Sequence, residues 1–81
     1  MEVNIEALKL MANEKGWSVP ELAKRLGVDY SYLFRIIKGN KKGGYKLFAG
    51  LYKLCAEEGR DFNELIILVD MLPTDNVRQN N

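Results

Sequence analysis

The sequence predicts an all-α fold: one compact domain of five helices over residues 1–72, then a flexible tail at 73–81. Three observations carry that prediction. Apolar residues recur three and four apart, the period of a helix with one buried face. Residues able to cap a helix start stand before four of the segments, at Asn4, Ser18, Asp29 and Asp61. Glycines stand after the end of four, at Gly16, Gly27, Gly39 and Gly59, where a left-handed residue closes a helix.

Helix one runs from Asn4 to Lys15, with Ile5, Leu8, Met11 and Ala12 as its apolar stripe. Trp17 follows, placed to close this helix onto the next as a core residue. Helix two runs from Ser18 to Leu26. Ser18 and Glu21 form a capping box, and Pro20 falls in the first turn, where it is tolerated. Leu22, Ala23 and Leu26 face inward, and Lys24 and Arg25 face outward. Ala23 is small enough to let another helix approach. Gly27 and Val28 make a tight turn, and Asp29 caps helix three, Tyr30 to Lys38. Leu33, Ile36 and Ile37 form its inner side. Tyr30, Ser31 and Arg35 fall on the opposite side, with Tyr32 and Phe34 flanking.

Asn40 to Gly44 reads as a basic loop. Helix four, Tyr45 to Glu58, repeats Leu47, Phe48, Leu51, Leu54 and Cys55 at helical spacing. Gly50 weakens it by up to ~1 kcal/mol relative to alanine, which suits a close helix contact. Helix five is predicted over Phe62 to Leu72, started by a second capping box of Asp61 and Glu64 and broken by Pro73. Phe62, Leu65, Ile66 and Val69 would cover the core. Ile67, Leu68, Met71 and Leu72 would then remain exposed, a surplus apolar face expected to meet a second copy of the chain.

Composition excludes several classes. One cysteine, Cys55, permits no internal disulfide, and its helical setting makes it a small buried apolar group. With no histidine there is no zinc finger and no histidine-based acid–base pair, so no cofactor or metal is expected. Glu57 and Glu58 are adjacent on a helix and diverge, so they are not a catalytic carboxylate pair. No apolar run is long enough to span a membrane, and MEVNIEAL is acidic and periodic rather than a signal sequence. The expectation is a cytoplasmic protein that is not an enzyme.

The net charge of +1 conceals a segregation. Lys24, Arg25, Arg35, Lys38, Lys41, Lys42 and Lys46 face a single acid, Asp29, between positions 24 and 46, while both flanking stretches are net acidic. Such a local field attracts a polyanion even when the whole chain is near neutral.

ELAKRLGV, Glu21 to Val28, followed by DYSYLFRIIKG to Gly39, resembles the helix-turn-helix of the phage-repressor-like (Cro/C1, XRE-type) DNA-binding domains, whose fold is the lambda-repressor-like one. Leu22, Ala23, Gly27, Leu33, Ile36 and Gly39 match its structural positions, and GRDFNEL, Gly59 to Leu65, resembles its fifth-helix start. The resemblance implies base reading by Tyr30, Ser31 and Arg35. It also implies phosphate contacts near Ser18, Lys38 and Asn40. Arg35 can donate two hydrogen bonds to guanine, Ser31 can donate or accept, and the Tyr30 ring can meet a thymine methyl. Lys41, Lys42 and Lys46 suit phosphate. The sequence departs from the family where a charged pair between helices one and three becomes Ala12 and Ile37, and where Val19 and Tyr30 replace polar groups. The path from Gly39 to Cys55 is also longer, through an extended loop or an early helix four.

The expected function is therefore a sequence-specific double-stranded DNA-binding regulator, a repressor that binds a palindromic operator as a homodimer. An autoregulating antitoxin is a close variant. The alternative is a protein-interaction module that keeps the fold without base reading and engages a partner through Tyr32 and Phe34.

Overall fold

Local chemistry sets the helix boundaries in the computed structural model, which describes residues 1–67. The Asn4 side chain accepts from the Ala7 N–H at 3.1 Å and starts α1, Ile5–Lys15. The Ser18 hydroxyl accepts from the Glu21 N–H at 3.3 Å and starts α2, Val19–Leu26. The capping box there is only half formed, because the Glu21 carboxylate turns to the Arg25 guanidinium at 2.8 Å. Asp29 holds the N-cap position of α3, Tyr30–Ile37, but its side chain makes no capping hydrogen bond, contrary to expectation. α4 spans Tyr45–Glu58, so it begins where the sequence predicted and the extra length lies in the loop before it.

The α2–α3 turn has a specific geometry. Gly27 is left-handed at φ 74°, and the Val28 N–H donates back to the Ala23 carbonyl at 3.0 Å. This pattern satisfies carbonyls that the helix end leaves open and turns the chain sharply into α3. The core contains Leu8, Met11, Leu22, Leu33, Leu47, Leu51, Leu54 and Leu65, each no more than 1% exposed, and Cys55 is buried among them. Ala12 is buried, and Ile37 is half-buried against the same core, so apolar packing occupies the place of an ion pair.

α4 crosses the end of α2 very closely. A Cβ added at Gly50 would lie 2.0 Å from the Leu26 carbonyl oxygen. Only glycine allows this approach of α4 to the end of α2. Trp17 is partly buried against the core, and the Arg25 guanidinium lies 4.2 Å above its ring centre.

Over its described part, residues 62–67, the predicted fifth helix is not formed, and the expectation of a five-helix domain is corrected to four α-helices among the described residues. Phe62–Leu65 is a single 3-10 turn, and Ile66–Ile67 is a short strand, β2. β2 pairs antiparallel with β1, Glu2–Val3, in the register Glu2 with Ile67 and Val3 with Ile66. The Asp61 carboxylate caps this turn by accepting from the Asn63 N–H at 2.9 Å, so the start forms and the helix fails further on. The Leu65 carbonyl then accepts from the Asn4 N–H at 2.9 Å, and the β-branched Ile66 and Ile67 favour the extended form. Leu65 and Phe62 still cover the core as expected, the first fully and the second in part. Ile67 is 40% exposed, but on a strand rather than a helix face. Val69, the anticipated interface residues Leu68, Met71 and Leu72, and the 72/73 domain boundary lie outside the described residues.

Candidate nucleic-acid interface

α3 divides into two sides by its own register. At about 100° per residue, Leu33 and Ile36 point into the core and are 0% and 3% exposed. Tyr32 and Ile37 flank them, half-buried. The remaining positions, Tyr30, Ser31, Phe34, Arg35 and Lys38, are all exposed. They form one continuous outer face, with Tyr30 at one flank, Arg35 at the other, and Ser31, Phe34 and Lys38 between.

The structure thus brings together the three predicted base-reading residues and Lys38. It also locates Phe34 inside the face rather than on its rim. The helical register carried that signal, but the reading of Phe34 as a flanking residue missed it. Tyr30 and Phe34 stack as a tilted pair with ring centres 5.8 Å apart, and the Lys38 ammonium lies 5.5 Å from the Phe34 ring centre.

Tyr32 has a different task. Its hydroxyl accepts a hydrogen bond from the Gly44 N–H at 2.9 Å. Gly44 is the N-cap residue of α4 and has no side chain to offer. Tyr32 therefore ties α3 to the start of α4, and Lys41 lies 5.8 Å from its ring. The expected protein-binding pair of Tyr32 and Phe34 is split: one serves the fold, and the other is exposed.

The cations also separate into two groups. Arg25 is paired with Glu21, and Lys42 is paired with Glu2 at 3.1 Å. Lys42 is consequently drawn towards β1, although an exposed pair of this kind contributes at most ~1 kcal/mol and exchanges easily. Arg35, Lys38, Lys41 and Lys46 are exposed and have no acidic partner within ion-pair distance among the described residues. Arg35 and Lys46 line one open groove with Val28, Asp29, Tyr32 and Tyr45, between the turn, α3 and the start of α4.

Ser18 is exposed at the start of α2, where its hydroxyl oxygen caps the helix. Asn40 is exposed just past α3, and its N–H closes that helix on the Arg35 carbonyl at 2.9 Å. Every predicted phosphate-contacting side chain is therefore on the surface, and Lys42 alone among these cations is engaged in an ion pair. Chemically, the arrangement offers a planar donor fork, a hydroxyl and an aromatic pair on one helix, ringed by exposed positive charge. Among the described residues no group of acidic, cysteine or histidine side chains is placed to hold a metal ion. No helix among them is long and apolar enough to cross a membrane.

Comparison with known families agrees with this geometry. A homeodomain-like domain model matches residues 2–51, more than half of the chain, from β1 through α3 and into α4. No curated protein and no solved structure matches the chain significantly. The resemblance to helix-turn-helix DNA-binding domains thus holds at the level of the superfamily. The matched span contains the turn at Gly27, the outward residues Tyr30, Ser31, Phe34 and Arg35 of α3, and Lys38 at its C-cap. The chain belongs to the homeodomain-like domain family of helix-turn-helix proteins, whose members are DNA-binding regulatory modules rather than enzymes.

Proposed function

We propose that the protein is a sequence-specific double-stranded DNA-binding transcriptional regulator that docks α3 in the major groove. One observation carries the reading: Arg35 stands exposed and without an acidic partner among the described residues, on the outer face of a helix whose inner face is locked into the core. A guanidinium in that setting is available to guanine O6 and N7. Ser31 and Tyr30 complete the reading face. Lys38, Lys41, Lys46, Ser18 and Asn40 hold the phosphates on either side, with Lys42 joining once it leaves Glu2. The phage-repressor-like subtype is supported by the way Glu21 to Val28 forms α2 and the turn. Repression from a palindromic operator, with two copies bound, extends the same reading.

A selection from random duplexes with purified protein tests it, followed by sizing of the complex. An enriched sequence with two-fold symmetry is expected. Arg35→Ala should lose ~1–3 kcal/mol of discrimination at one base pair. Lys46→Ala should weaken all duplexes alike and reduce the slope of affinity against salt by about one ion. Equal affinity of wild type and Arg35→Ala for every duplex would sink the proposal. Capture of a protein partner that survives nuclease and high salt, with no duplex enriched, would favour the interaction-module reading instead.

A further inference from the structure

Phe34 has no role in the fold or in the function described so far. It is 41% exposed inside the outer face of α3, and it contributes no hydrogen bond and no charge to that face. Its neighbours nevertheless hold it: Tyr30 stacks against one side at 5.8 Å, and the Lys38 ammonium lies 5.5 Å from its ring centre. A ring restrained in this way loses little freedom on binding.

We infer that Phe34 makes α3 a reader of 5-methylpyrimidines, seating its ring on the C5 methyl of thymine or of 5-methylcytosine in the major groove. The inference rests on the reading of α3 as the helix that enters that groove. Base edges there consist mainly of carbonyls, ring nitrogens and amino groups, and the most prominent apolar feature is the C5 methyl. A phenyl ring pressed against any polar edge strips water from it and returns no hydrogen bond, which is unfavourable. Pressed against the methyl, it buries carbon on both sides. Arg35, the next residue, prefers guanine. The face therefore pairs a donor fork with an apolar contact one helical step apart, and the basic side chains around it match the phosphates that flank such a site.

The test uses the full chain and the duplex enriched by selection. Each thymine is replaced in turn by deoxyuridine, which removes the methyl and keeps the Watson–Crick edge, and each cytosine by 5-methylcytosine. Affinity is read by fluorescence anisotropy at fixed salt. If thymine is the source, uracil at one or two positions weakens binding about fourfold per methyl. If 5-methylcytosine is the source, methylation strengthens binding by a similar factor. In either case Phe34→Ala abolishes the difference while its unfolding midpoint stays that of wild type, and Phe34→Leu retains part of it. The inference is overturned if no replacement changes affinity at any position, or if the difference persists in Phe34→Ala. An enriched duplex that is insensitive to methyls removes this inference alone. Absence of any enriched duplex removes the underlying reading and this one with it.

Discussion

The two sides of α3 differ in every respect that separates stability from recognition. Leu33 and Ile36 on the inner side are sealed from water. Tyr30, Ser31, Phe34, Arg35 and Lys38 on the outer side are exposed, with Phe34 against Tyr30 and Lys38 and with Arg35 at the edge of the groove beside the start of α4. Eight residues of helix thus serve as scaffold on one side and as a variable surface on the other. The inner residues can be chosen for packing without regard to the target. The outer ones can be changed without regard to the core.

Variants can test how complete that separation is. The largest effect is expected for Leu33→Ala, which leaves a cavity in the core beneath α3 and should lower unfolding free energy by ~2–5 kcal/mol. Urea unfolding measures it, and a loss as small as that of a surface variant would mean that the inner side is not the scaffold. Gly50→Ala comes next. Its new Cβ meets the Leu26 carbonyl at 2.0 Å, so α2 and α4 must part, at ~1–3 kcal/mol. A gain in stability from the better helix propensity of alanine would show that the helices part freely. For Arg35→Ala the unfolding midpoint should stay within ~0.5 kcal/mol of wild type, while discrimination between duplexes falls. A marked loss of stability would end the division of labour argued above.

The smallest effect concerns pH and lies away from α3. The Lys15 ammonium, 2.8 Å from Glu58, holds that carboxyl below its ordinary value of 4.5. A carboxyl lowered by folding adds stability above its ordinary value and loses it as the pH falls through the lowered one. Lys15→Met should therefore be slightly less stable than wild type at neutral pH and equal to it in strong acid. A gap that persists in acid would assign the difference to packing instead.

Much of the helical frame could be read from the sequence, because period, caps and glycines are local signals. Asn4, Ser18, Gly16, Gly27 and Gly59 all act where they were expected to, and Gly50 marks the close crossing. The segment after Asp61 could not be read in this way. An apolar run behind a capping residue looks like a helix, and the competing partner, Glu2–Val3, lies at the far end of the chain. Two-residue strands have no period to detect. The outward position of Tyr30, Ser31 and Arg35 followed from register alone. Lys42 turning to Glu2 and Tyr32 reaching Gly44 depend on the path of the loop before α4, which no spacing encodes.

The pairing of β1 with β2 has a further consequence for how the molecule assembles. Contacts within and between consecutive helices form quickly because their partners are near in sequence, whereas this pair joins the most distant described segments. The strands should therefore zip only after the helices have docked. Their amide hydrogens should exchange with solvent sooner than those of α2 and α4, with the pair opening and closing like a latch on an already folded body.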